Sequence, residues 1–201
     1  MSGIIAQNSG RHTGLVKASS AGGTWNLIET LTASSSATLD FTSGIDDTYD
    51  EYIFRFISMH PATDGVQLTV NFTIDGGSNW NVTKTTTYFL TRNDEDDGGN
   101  ELSYKSTLDL AQSTAHQMLD VDTSNDADHA NSGYLHLFNP SSTVFVKHFI
   151  SVSNNTQTGN ASMTHYVAGY GNTTSAIDGV QFKFNSGNID AGTISLYGIS
   201  W

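Results

Sequence analysis

An antiparallel β-sandwich is the fold class this sequence predicts, and three observations predict it. The first is composition: Thr (25), Ser (24), Gly (19) and Asn (16) make up 84 of the 201 residues, and helix formers are thin. β-Branched Thr fits a pleated, half-solvated surface, and Asn, Gly and Ser supply turns. The second is rhythm. From Trp25 onward apolar and polar residues alternate at period 2, the mark of half-buried strands. The third is punctuation by turn residues between these runs. Together they give about ten short strands, the sequence form of a two-sheet, jelly-roll-like sandwich.

Residues 1–24 stand apart from that rhythm. They are polar, hold Gly3, Gly10, Gly14, Gly22 and Gly23, and carry two small apolar clusters, Ile4-Ile5 and Leu15-Val16. Such a segment has no core of its own and orders only against something else. It is expected to be an N-terminal attachment arm, with Ile4, Ile5, Leu15 and Val16 as its docking residues, ahead of one sandwich domain over 25–201.

The strands follow in order. Trp25, Leu27, Glu29 and Leu31 alternate with Asn26, Ile28 and Thr30; Ala37, Leu39 and Phe41 alternate with Thr38 and Asp40. In 51–60, Tyr52, Phe54 and Phe56 share one face while Ile53, Arg55 and Ile57 share the other. This reads as a central strand covered on both sides. Val66, Leu68, Val70, Phe72 and Ile74 make the cleanest alternation, and a turn at Asp75-Gly76-Gly77 leads to a Thr-rich strand ending at Leu90. An Asp-Gly turn here is expected to close a hairpin. Residues 134–138 and 144–152 come next, the latter with Val144, Val146, Ile150 and Val152 opposite Phe145 and Phe149. Residues 163–170, 180–185 and 193–199 complete the set. Phe54, Phe72, Phe182 and Leu196 are expected in the core. Between them, 92–132 is irregular, with one weakly helical patch in which Leu108, Ala111, Ala115 and Met118 stand at helical spacing. A connection of that length is often functional or contact-making.

Charge narrows the function classes. Twenty acidic and eight basic residues give a formal net charge of -12. Nucleic-acid binding needs clustered Lys and Arg to neutralise phosphate, so no nucleic-acid partner is expected. No apolar run approaches the roughly 20 residues of a membrane helix, and the first residues lack a basic stretch followed by an apolar one, so neither a membrane partner nor an ordinary secretory signal is expected. There is no cysteine, which removes disulfides, thiolate metal sites and cysteine nucleophiles together.

The motifs carry little chemistry. Thr73-Ile74-Asp75-Gly76-Gly77-Ser78-Asn79-Trp80 resembles the Asp-box turn, S/T-x-D-x-G-x-x-W, in which the aspartate holds turn amides and the Trp packs over them. It is expected to be a turn device. The runs Asp94-Glu95-Asp96-Asp97 and Asp120, Asp122, Asp126, Asp128 have the oxygen chemistry of calcium ligands, but they read as solvated acidic loops. His136, His148 and His165 lie within strands without a metal-binding spacing and read as packed, hydrogen-bonded side chains. Tyr88, Tyr104, Tyr134, Tyr166 and Tyr170 are candidates for stacking on a glycan if they are exposed. No catalytic residue, metal ligand or cofactor is assigned.

Several segments carry a likeness to a known family. Residues 25–41, Ser43-Gly44-Ile45 through Gly65, Asp75 through Trp80, Leu137-Phe138-Asn139-Pro140-Ser141-Ser142 and Ala191 through Ile199 resemble a recurrent virion protein of tailed bacteriophages, especially marine ones. The opening residues 2–18 are similar to short attachment arms of phage appendage proteins. The resemblance spans residues 25–201. It implies a non-enzymatic structural component of the virion, a capsid decoration or fibre subunit, with other virion proteins as partners. A homo-oligomer, a trimer among the options, is expected. A host-recognition module binding surface glycans through an exposed aromatic face is the alternative.

Overall fold

The computed structural model describes residues 24–200; Ile4, Ile5, Leu15 and Val16 lie outside the described residues. The described residues form twelve strands: β1 (Thr24–Thr32), β2 (Leu39–Phe41), β3 (Glu51–Pro61), β4 (Leu68–Thr73), β5 (Lys84–Asp94), β6 (Asn100–Tyr104), β7 (Gln117–Met118), β8 (Asn131–Phe138), β9 (Lys147–Thr156), β10 (Ala161–Gly171), β11 (Gly179–Phe184) and β12 (Ile189–Ser200). They form an eight-stranded sheet in the order β1-β12-β3-β8-β9-β10-β5-β6 and a four-stranded sheet in the order β2-β11-β4-β7. Every pairing is antiparallel. The architecture is therefore the β-sandwich that the sequence predicts.

The core lies between the two sheets. Phe54 and Phe56 on β3, Phe149 on β9, Phe72 on β4 and Phe182 on β11 are all fully or almost fully buried. Phe182 of the small sheet meets Phe54 and Phe56 of the large one at ring centroid distances of 5.5 Å and 6.3 Å. Phe72 meets Phe149 at 5.2 Å with an edge-on tilt of 69°. Edge-on and tilted rings are the packing that aromatic quadrupoles favour, so the same residues that bury the most area also lock the two sheets in register. Leu196 on β12 is buried in the same cluster.

Five local expectations are corrected. The irregular region contributes two strands: β6 forms a hairpin with β5, and β7 adds to β4. The helical spacing of Leu108, Ala111, Ala115 and Met118 forms no helix; backbone bonds from Thr86 N to Leu110 O and between Lys84 and Ser113 tie this stretch alongside β5 instead. The strand expected from Val144 starts at Lys147, leaving Val144 and Phe145 exposed in the preceding connection. The Asp75 turn does not close a hairpin of two paired strands. Val82 N still bonds back to Phe72 O, but the chain then crosses to the large sheet as β5. Finally, β1 shifts register between Leu27 and Glu29. A bulge there places Trp25 and Leu27 outward, while Ile28 and Leu31 pack on the core.

The Asp75 turn has the Asp-box arrangement. Asp75 Oδ1 accepts from Thr73 Oγ1 at 2.6 Å and from Asn79 N at 2.9 Å, and Asp75 Oδ2 accepts from Asn79 Nδ2 at 2.7 Å. These donors hold the carboxyl below the ordinary carboxylate range. Gly76 and Gly77 take φ of 67° and 87°, the left-handed region where a side chain is penalised. A Cβ on Gly77 would also stand 3.3 Å from Trp80 Cζ2, which packs over the turn.

Candidate functional site

The candidate site is the outer face of the eight-stranded sheet. Cross-strand register fixes its members, because residues directly opposite each other point to the same side. Tyr134 on β8 opposes Arg55 on β3 and Val152 on β9; Tyr166 on β10 opposes Val152 and Phe89 on β5. One row along, His136 opposes Ile150, which opposes Ala168, which opposes Thr87. In the next row His148 opposes Tyr170, which opposes Thr85. At the far edge Trp25 and Leu27 on β1 join Tyr197 on β12.

An ordinary solvated sheet face carries polar residues at these positions. Here most of them are aromatic or aliphatic, with Arg55, Thr85 and Thr87 between them. Ile150 at the centre of the sheet remains 47% exposed and Tyr134 40%. Trp25, Leu27, Ile57, Phe89, Leu102, Tyr104 and Tyr166 are also exposed. The rings pair along the face. Phe89 and Tyr166 stack at 4.7 Å with 8° between planes; Trp25 and Tyr197 lie at 5.3 Å, and Tyr134 and His136 at 5.1 Å.

Charge is nearly absent from the middle of this face. It carries Arg55 and the largely buried Glu51, and Glu51 is bonded to His136 Nδ1. Most acidic residues sit instead in connections, among them Asp46, Asp47 and Asp50, the stretch 95–97, and Asp126 and Asp128. The expectation that 51–60 is covered on both sides is corrected in part: Glu51 and Ile53 on its outer side are buried. β3 is central in the sheet, yet Arg55 and Ile57 on its outer side are exposed.

Small residues between large ones make the face uneven. Ala168 and Thr87 lie between the Tyr170 row and the Phe89–Tyr166 stack. A depression of 460 Å³ opens there, lined by Phe138, His148, Ile150, Tyr170 and the small residues. A second depression of 360 Å³ lies between Trp25, Ile57 and Tyr134. Neither lining includes a carboxylate or carboxamide. Thr85 Oγ1 is already bonded to Gln112, and Thr87 Oγ1 donates to Ala168 O at 3.4 Å. The arrangement is suited to packing against another apolar surface.

Of the tyrosines read as exposed candidates, Tyr104, Tyr134, Tyr166 and Tyr170 lie on or at the edge of this face, but Tyr88 is fully buried. It belongs to a polar chain through the core. Tyr88 OH donates to His165 Nδ1 at 2.7 Å, and His165 Nε2 donates to Asn155 Oδ1 at 2.7 Å. Asn155 Nδ2 donates to Val121 O and Thr123 Oγ1, which identifies Oδ1 as the acceptor and so fixes the imidazole tautomer. Thr123 Oγ1 donates to Asp120 Oδ2 at 2.8 Å, Leu68 N donates to Asp120 Oδ1 at 2.7 Å, and Asn131 Nδ2 closes the chain on Asp120. Burial pushes the Asp120 carboxyl up to about 7 against those donors, and pushes the His165 imidazole down to about 3.

Asp120 is thus no member of a solvated loop, which corrects that reading; the sequence gives no signal that one aspartate in an acidic run turns inward. Asp122 is engaged by Gln157 Nε2 and Thr158 Oγ1, and Asp94 by Arg92 Nε. Among the described residues, no group of three or more His, Asp or Glu side chains is placed to hold a metal ion.

Two buried lysines also escaped sequence reasoning. Lys84 and Lys147 both stand opposite Gly171, in one row across β5, β10 and β9. Lys147 Nζ donates to Phe145 O at 2.8 Å and Thr173 O at 3.3 Å. Lys84 Nζ donates to Asn71 Oδ1 at 2.5 Å and Val82 O at 2.7 Å. Burial pushes the Lys84 ammonium down to about 7. In comparisons with known proteins, no family model, no curated protein and no solved structure matches this chain.

Proposed function

We propose that the protein is a non-enzymatic structural subunit of a virus particle, a capsid decoration or appendage subunit, which assembles by packing the outer face of its large sheet against a second copy. The observation that carries this reading is the segregation of chemistry on one chain. The net charge is -12, yet the middle of the broadest face is aromatic and almost uncharged. Joining two such faces removes apolar surface from water and leaves the acidic connections solvated.

The size of the face fits. Eight strands at about 4.8 Å spacing span about 34 Å, and a band about 20 Å deep gives about 700 Å². Stable interfaces bury about 800 Å² per partner. The likeness of the strand and turn segments to phage virion proteins supports the particle setting, with Ile4, Ile5, Leu15 and Val16 proposed as the contacts that hold the subunit on the particle.

Light scattering on the purified chain tests the association. A multimer that the Ile150→Glu variant converts to monomer, with the fold retained, is the expected result; a wild-type monomer at high concentration would refute it. Deleting residues 1–20 is expected to leave that multimer intact and abolish incorporation into particles. Binding of a soluble oligosaccharide by the monomer, lost on Tyr170→Ala, would favour the glycan reading instead.

A further inference from the structure

Asn71 and Lys84 meet at the point where the chain leaves the small sheet for the large one. Both side chains are fully buried. The Lys84 Nζ donates to the Asn71 carboxamide oxygen at 2.5 Å, and its other partner is the Val82 carbonyl rather than a carboxylate. A buried amine without a counter-charge is driven towards its neutral, nucleophilic form, in agreement with the lowered ammonium described above.

The carboxamide is held in one orientation from both ends. Asn71 Oδ1 also accepts the Phe72 N–H at 2.9 Å. Asn71 Nδ2 donates to Trp80 O at 2.6 Å and to Thr114 O at 3.0 Å, and lies 3.4 Å from His116 Nδ1. His116 Nε2 donates to Gln181 Oε1 at 2.9 Å, which leaves Nδ1 with a free lone pair towards Asn71. Each part that an acyl transfer needs is therefore present. There is a nucleophilic amine, a fixed carbonyl, a backbone N–H on the oxygen where negative charge would develop, and an imidazole nitrogen 3.4 Å from the leaving nitrogen to relay a proton to it.

We propose that Lys84 and Asn71 join in the folded protein through an isopeptide bond. The neutral Lys84 Nζ adds to Asn71 Cγ, forming a C–N bond and placing negative charge on Oδ1, where the Phe72 N–H stabilises it. The carbonyl re-forms as the bond from Cγ to Nδ2 breaks. A proton shed by Nζ passes to Nδ2, beside which His116 Nδ1 stands at 3.4 Å as the last carrier, and the nitrogen leaves as ammonia. Atoms and charge balance without an oxidant or a co-reactant. The product would bolt β4 in the small sheet to β5 in the large one and enclose the Asp75 turn in a covalent loop. A subunit exposed on a particle would gain resistance to unfolding and proteolysis from such a staple.

The test is the intact mass of the full-length, denatured protein. The wild type is expected to fall short of its sequence mass by one ammonia, about 17 Da. Its digest is expected to yield a branched peptide joining the segments around 71 and 84. Lys84→Arg keeps the positive charge but is not nucleophilic, and is expected to show the full sequence mass. His116→Gln is expected to accumulate the lighter form more slowly than the wild type; equal rates would remove His116 from the step. A wild-type chain at full mass, or a loss that persists in Lys84→Arg, would overturn the proposal.

Discussion

Phe89 and Tyr166 stack face to face across β5 and β10, 4.7 Å apart and 8° from parallel, on the open side of the large sheet. A pair that lies half in solvent contributes about 1 kcal/mol to the fold beyond its buried area. The same pair covered by a second subunit contributes much more to association, because aromatic side chains at the centre of an interface carry most of its energy.

The first prediction separates those two roles. Tyr166→Ala is expected to lower the stability of the isolated subunit by about 1 kcal/mol, while weakening self-association at least tenfold. Urea unfolding gives the first quantity and concentration-dependent light scattering the second. Equal, small effects on both would mean that this part of the face is not in the contact.

The second concerns the ring cluster between the sheets. Phe182 is fully buried and touches Phe41, Phe54 and Phe56. Phe182→Ala is expected to cost about 3–5 kcal/mol, through lost transfer energy and the cavity left behind. Phe182→Leu, which retains much of the volume, should cost less than half of that. Thermal unfolding of both variants checks the ranking.

The core was readable because inward positions were marked by alternation alone. Phe54, Phe72, Phe182 and Leu196 all proved buried. The outer face was harder to read, since Tyr134, His136, Tyr166 and Tyr170 alternate just as regularly as core residues do, and only register shows which side they share. Lys84, Lys147 and Asp120 were illegible for a different reason. Their burial depends on carbonyls and amides brought from distant segments, such as Thr173 O for Lys147 and Leu68 N for Asp120. Local pattern carries no trace of such partners. β7, two residues long, has no periodicity to display, and in β6 only Leu102 and Tyr104 alternate with polar neighbours, too short a run to mark a strand.

The third prediction follows from the polar chain through the core. The Asp120 carboxyl is raised to about 7 from 3.8, so the folded state binds its proton more tightly than the unfolded state. Its contribution to stability is full below about pH 4 and lost as pH rises through about 7. The His165 imidazole is lowered to about 3 from 6.5, so its contribution is full above pH 6.5 and lost as pH falls through about 3. Between about pH 4 and 6.5 the two slopes oppose each other. Asp120→Asn is therefore expected to make stability fall more steeply on acidification than in the wild type. His165→Gln should make it rise. Melting temperatures across that interval for the three proteins decide the matter, and parallel curves would remove both groups from the linkage.

The last prediction concerns calcium, because acidic runs invite it. A loop site needs several carboxylate and carbonyl oxygens converging at about 2.3–2.6 Å from one point. Asp120 cannot turn outward to help build one, since Leu68 N, Thr123 Oγ1 and Asn131 Nδ2 already claim its two oxygens inside the core. Asp122 is held by Gln157 and Thr158 on the neighbouring hairpin, and Asp94 by Arg92. Asp126 and Asp128 stand on either side of His129, at 3.7 Å and 3.8 Å from its two ring nitrogens, and so do not converge on one point. The remaining carboxylates of the 94–97 loop are solvated and screened by salt at little cost. EDTA is therefore expected to leave the melting temperature unchanged, and added calcium to raise it no more than sodium chloride of equal ionic strength. Asp120→Ala is expected to destabilise the protein with and without EDTA alike. A fall of several degrees in EDTA that calcium alone reverses would make one of these loops a metal site.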